Sequence, residues 1–346
     1  MNLENSNQPS EGSPEEIYGL TRRHVFAGIA AFAVTGFLAG CTAEPEKRYK
    51  QFSQPTKQPI EVPLVPEVME PLERQGINGE YFSTLPAWEQ DFTVMPESPL
   101  DTTNWNILTG PGPGNSEAQY YTNSTRNVRV ENGKLVLQAH VEDSNGYDYT
   151  SGRIDTLGKN DFLYGKFEIS AKIPRGVGTW PAAWLLPSEE IYLNQYPGVN
   201  FNSYYVDGEI DVMEAIGSDQ NTIYGITHSL DRPENPEYRE QYYSTKAVPD
   251  ADITFHTYGL EWTPTNLTMS VDGEKFYSVS KQDYYDFRQW PYDQKFHLII
   301  NLAMGGDWAG RQTDLHPTDG IDKQALPATF EVASVKYYSF VPNPTP

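Results

Sequence analysis

The chain has 346 residues, 47 of them acidic and 25 basic, for a formal net charge of −22. So negative a surface repels polyanions, and because nucleic-acid binding is driven by Lys and Arg neutralising phosphates, nucleic acid is excluded as a partner while a neutral polysaccharide is compatible. A single cysteine rules out an internal disulfide framework, and 23 Tyr, 15 Phe and 7 Trp among 27 Gly and 27 Pro predict one large β-rich domain, a sandwich or barrel, flanked by tails.

The first element in chain order is a leader. Arg22 and Arg23 precede a 15-residue apolar run, residues 25–39, that ends in Leu38-Ala39-Gly40-Cys41. The run is too short to span a bilayer comfortably and has the length of a signal-peptide core. Its ending resembles a bacterial lipobox and the arginine pair a twin-arginine export signal. Residues 1–40 are therefore expected to be an export signal peptide and Cys41 a lipidated residue. Residues 41–80, rich in Pro, Glu, Lys and Gln, read as a lipid-anchored flexible linker. The folded domain is expected over 81–346, held in the cell envelope outside the cytoplasm and touching the membrane only through Cys41.

From there the pattern turns to short strands. Residues 134–139 (KLVLQA), 165–173 (GKFEISAKI), 267–271 (LTMSV) and 296–302 (FHLIINL) are strand-like, and helical periodicity is scarce. Asn132-Gly133 and Asp272-Gly273 flank alternating runs, a hairpin signal because both central residues of the favoured turn need positive φ. A long irregular stretch, residues 188–206, precedes an acidic segment and is expected to shape a binding cleft.

That segment, residues 208–217, reads GEIDVMEAIG and places Glu209, Asp211 and Glu214 within six positions of a β-favouring run. Residues two apart in a strand share a face about 6.6 to 6.8 Å apart, so Glu209 and Asp211 point the same way while strict alternation turns Glu214 to the other face. A one-residue bulge at Val212 or Met213 turns it back. Like charges this close cannot all ionise freely, so one carboxyl holds a proton toward neutral pH while another stays anionic. Retaining cleavage of a glycosidic bond asks for such a pair, with the carboxyls about 5 to 5.5 Å apart. A surface strand of solvated acids is the plain alternative.

Other segments carry possible chemistry. GTWPAAWLLP, residues 178–187, spaces Trp180 and Trp184 four apart, which in a strand puts both indoles on one face, suited to stacking on sugar rings or to core packing. Trp308, in the glycine-rich GGDWAG after Asn301, is expected to be the more exposed and the better platform. His228 follows Glu214 by fourteen residues, on what should be the next strand. No H-E-x-x-H supports a zinc site and no G-x-S-x-G a serine nucleophile.

Together these motifs resemble glycoside hydrolase family 16, from Trp88 to Tyr338. The matching blocks are GEIDVMEAIG in its bulged E-x-D-x-x-E form, NSEAQYYT (115–122), SGRI (151–154), YGKFEISAKIPRGVGTWPAAWLLP (164–187), FHTYGLEWTP (255–264) and NLAMGGDWAG (301–310). The last and GTWPAAW look most like the laminarinase branch. The resemblance implies an all-β jelly-roll sandwich of two antiparallel sheets with a concave substrate cleft. It implies retaining endo-hydrolysis of β-1,3-glucan, with Glu209 as nucleophile, Asp211 as assisting acid and Glu214 as acid/base. Asn115, Arg153, Trp180, Trp184 and His228 become substrate contacts, His228 near the acid/base. The expected partner is a β-glucan, met by a monomer. Mixed-linkage glucan, an algal galactan and non-catalytic glucan binding stay open. Two departures stand out. Tyr204, Tyr205, Val206 and Asp207 fill positions where a Trp-Pro pair is common, and Ala333 replaces an Asp associated with a structural calcium. No cofactor is expected to be required, and calcium is left open.

Overall fold

The computed structural model describes residues 81–195, 206–231, 241–310 and 320–342. The leader, Cys41, the linker, and Tyr204 and Tyr205 lie outside the described residues. Within them the chain is a β-jelly-roll sandwich, as the aromatic and turn-rich composition requires, with two short α-helices, Ile191–Gln195 and Gly306–Ala309.

One sheet has seven described strands. In spatial order they are Gln241–Ala247, Thr222–His228, Glu209–Glu214, Thr179–Pro187, Phe296–Met304, Arg153–Asp155 and Asn106–Ile107, every adjacent pair antiparallel. The opposing sheet runs Glu274–Ser280, Asn266–Val271, His256–Trp262, Gly165–Lys172, Ala328–Tyr338, Lys134–Ser144, Tyr147–Ser151, Gln119–Tyr121 and Gly110–Pro111. It departs from the antiparallel expectation once, because Gln119–Tyr121 pairs parallel to Tyr147–Ser151. The hairpin of Val128–Glu131 and Lys134–Ser144 lies between those two strands in sequence and returns the chain to the same direction.

Period-two burial explains the packing. Gly165–Lys172 alternates strictly buried and half-buried, sending Phe167 and Ile169 into the core. Phe296–Met304 is buried at every position: Leu298, Ile300 and Leu302 face the core, while His297, Ile299, Asn301 and Ala303 alternate onto the other face. Each fully buried Leu or Ile there contributes about 1.5 to 3 kcal/mol relative to exposure. The predicted turns close as expected, Asn132-Gly133 at φ 51° and 69° and Asp272-Gly273 at φ 51° and 78°. A third of the same kind, Asn145-Gly146 at φ 54° and 84°, joins Lys134–Ser144 to Tyr147–Ser151 and went unread in the sequence.

Part of the irregular stretch before the acids forms the helix Ile191–Gln195. The Asp207 carboxylate accepts the N–H groups of Tyr192 at 2.7 Å and Leu193 at 3.1 Å and so holds the helix Ile191–Gln195 against the entry to the acidic strand.

Candidate active site

The strand Glu209–Glu214 carries the bulge its spacing called for. Against Thr179–Pro187, Ala183 pairs with Met213 and Trp184 with Asp211, so Val212 is the extra residue; against Thr222–His228, Asp211 pairs with Ile226 and Glu214 with Tyr224. Val212 and Met213 are both wholly buried among core residues, two consecutive inward side chains that restore Glu214 to the face of Glu209 and Asp211. At the strand's exit Gly217 tolerates no side chain: a Cβ there would lie 1.6 Å from the Gly176 carbonyl oxygen.

The three acids are sunk to different depths. The Glu209 side chain is 18 % exposed, while Asp211 and Glu214 are 2 % and 8 % exposed. Burial, then the charge of Asp211, pushes Glu209 up to about 8. Burial raises Asp211 well above the usual carboxylate range, with Glu214 adding to it. Glu214 is raised to about 7, again by burial first, and Trp180 opposes the rise by donating its indole Nε1–H to Oε1 at 2.8 Å. The wall that dries Glu214 is aromatic. Trp308 packs edge-on to Trp180, centroids 5.1 Å apart, and to Tyr224 at 5.0 Å, and Tyr224 is the cross-strand partner of Glu214.

His228 pairs with Glu209 in the register, and its Nε2 lies 3.3 Å from Asp211 Oδ2 and 3.9 Å from Glu209 Oε1. It therefore sits at the Glu209 end of the acid row in register, and it is also one of the influences lowering Glu214. Among the described residues Glu209, Asp211 and His228 also bring ligating atoms within 4.8 Å of one another, so a divalent cation held there would occupy the groups needed for chemistry.

Trp180 and Trp184 are half-buried on one face, as their spacing required. The Trp184 Nε1–H donates to Asn301 Oδ1 at 2.7 Å, and the Arg153 guanidinium lies 5.0 Å over its ring, a cation–π contact that braces one face of the indole. Arg153 is only 8 % exposed. Trp308 corrects the expectation of exposure: it is 7 % exposed, because its ring closes the wall around Glu214. Asn115 is exposed, at φ 54°, and its carbonyl accepts the Asp307 N–H at 2.8 Å, fastening its loop to the helix that carries Trp308. Sequence reading missed Glu117, Tyr121 and Asn301 as site-building residues, although all three fall in blocks already singled out. Ala333 is the extra residue of a bulge in Ala328–Tyr338, and its methyl offers no oxygen, so that side chain cannot supply the calcium ligand the resemblance associates with the position.

A two-sheet sandwich bearing three buried carboxyls on one face beside two half-buried indoles marks a polysaccharide-cleaving enzyme. The chain belongs to Glycosyl hydrolases family 16, whose family model matches residues 115–319. It is 38 % identical over 259 residues to a "Beta-glucanase" of Rhodothermus marinus, covering 73 % of this chain and 84 % of that protein. It is 34 % identical to "Glucan endo-1,3-beta-glucosidase A1" of Niallia circulans, over 72 % of this chain and 37 % of that longer protein. Among solved structures, the laminarinase from Rhodothermus marinus superposes with a TM-score of 0.66 at 34 % identity, covering 76 % of this chain and 99 % of that one.

Proposed function

We propose that the protein is a retaining endo-β-1,3-glucanase, and the observation that carries this reading is the Val212 bulge setting Glu209, Asp211 and Glu214 on one face. Relatives that hydrolyse β-1,3-glucan support the substrate class. In the first step Glu209 attacks the anomeric carbon as the glycosidic C–O bond breaks, and Glu214 gives its proton to the departing oxygen. In the second, Glu214 takes a proton from water, which displaces Glu209 and leaves the product with its original anomeric configuration.

Proton placement follows from burial. Glu209 and Asp211 lie close enough that their protons belong to the pair rather than to either residue. Asp211 is the deeper of the two, so the charged form is costlier there, and the reactive state is the one in which the shared proton sits on Asp211 and Glu209 is the anion. His228 next to Asp211 and Glu209 steadies that charge. The Trp184 face not braced by Arg153 stacks on a sugar ring, and Trp180 orients the acid.

Glu209→Gln should leave thermal unfolding close to wild type and abolish release of reducing sugar from laminarin. Cleavage at the wild-type rate would end the assignment. Lichenan, agarose and carrageenan in parallel, with product size read by chromatography, test the linkage preference; faster cleavage of any of these than of laminarin would replace β-1,3-glucan as substrate.

The Arg22-Arg23 pair and the Leu38-Ala39-Gly40-Cys41 ending support export and lipid anchoring at Cys41, with residues 41–80 as tether. Labelled palmitate should be incorporated by the full chain and not by its Cys41→Ser variant; equal labelling would refute the anchor.

A further inference from the structure

Glu117 has no step in the chemistry above, yet it is drawn down among the groups that build the cleft floor. Its segment is bridged to Gly305, and its Oε2 accepts Gln119 Nε2–H at 2.7 Å and the Tyr121 hydroxyl at 3.3 Å. Gln119 is itself held, its Oε1 accepting the Met304 N–H at 2.7 Å. The Tyr121 oxygen accepts Asn301 Nδ2–H at 3.1 Å, and Asn301 Oδ1 accepts the Trp184 indole at 2.7 Å. Gln119, Tyr121 and Asn301 are 0 %, 2 % and 5 % exposed, so water competes little for these bonds.

The direction of this chain follows from its indole end. An indole N–H can only donate, so Asn301 must accept through Oδ1 and has only its amide hydrogens left to donate. Tyr121 spends its oxygen on accepting from Asn301 and its hydrogen on Glu117. The chain therefore closes only if residue 117 offers an oxygen that accepts twice, which a carboxylate does. Asn301, Tyr121 and Glu117 come from two strands and a loop that no sequence pattern joins.

We propose that Glu117 is a positioning residue: acting through Tyr121 and Asn301 it fixes the orientation of the Trp184 indole that a glucan meets. This rests on the glucanase reading above.

Tyr121→Phe removes a single hydroxyl and breaks the chain: KM for laminarin should rise about five- to tenfold with kcat retained. Glu117→Ala should raise KM similarly. Glu117→Gln restores an oxygen that can accept twice, so KM should return toward wild type. Wild-type KM in both Tyr121→Phe and Glu117→Ala, whether or not their melting temperatures fall, would overturn the positioning role, as would a Glu117→Gln variant no better than Glu117→Ala. Failure of the wild type to cleave laminarin strikes the glucanase reading instead, whereas a fully active wild type with indifferent variants sinks only this inference.

Discussion

Trp180 acts on Glu214 at the scale of single atoms. A carboxyl walled in by aromatic rings keeps its proton, because the anion would lose its hydration; a donor aimed at the same carboxylate partly compensates. In this cleft burial outweighs the Trp180 bond, and Glu214 titrates near 7 rather than near 4.5. The acid form that protonates the leaving oxygen is therefore present at neutral pH and is lost as pH rises through that value, so activity should fall on the alkaline side of neutrality. Trp180→Phe keeps the wall and removes the donor. The Glu214 pKa then moves further up, shifting the alkaline limb of kcat/KM to higher pH, while kcat drops about tenfold because the carboxyl is no longer held toward the leaving oxygen. A pH–rate profile with the limb shifted down would contradict this account of the site.

At the scale of the element, one surplus residue decides which face carries the acid/base. Val212 and Met213 are consecutive and both turn into the same core, which strict alternation does not allow, and the pairings on both neighbouring strands shift across them. Deleting Val212 leaves Glu209-Ile210-Asp211-Met213-Glu214, in which regular alternation still sets the three acids on one face with Ile210 and Met213 inward. What the deletion removes is the wholly buried Val212 side chain, worth about 1.5 to 3 kcal/mol of burial. The deletion variant should melt lower yet still cleave laminarin; complete loss of turnover in a variant that keeps the β-sheet signal by circular dichroism would show that alternation does not govern where Glu214 points. The same element shows what was legible in the sequence. The three acids, their spacing and the need for a bulge could all be read, because side-chain alternation is a local rule. The depth of each acid could not, since it is set by rings from other strands and by the helix Gly306–Ala309. For that reason Trp308 reads as an exposed platform in a glycine-rich loop and is instead a wall.

Across the whole molecule, the sandwich sets the cleft sheet on a continuous apolar core and leaves the acids' surroundings to residues from separated parts of the chain. The groups proposed for both chemical steps are side chains of this chain, and the Ala333 side chain offers no oxygen to a cation. Hydrolysis is therefore expected to persist after dialysis against EDTA, with kcat within about twofold of the untreated enzyme. A loss restored by added calcium, and by no other divalent ion, would establish a metal requirement.

Sequence alone determined the class of fold, the family resemblance, the acid triad and the hairpins at Asn132-Gly133 and Asp272-Gly273, all of which depend on alternation, turn chemistry or contiguous motifs. Tertiary structure alone decided which acid is driest, that Arg153 braces Trp184, and that a bond runs from Trp184 through Asn301 and Tyr121 to Glu117. The reason is physical: burial and hydrogen-bond partnership are properties of residues that meet across sheets, and 180 positions of chain separate Tyr121 from the Asn301 that donates to it.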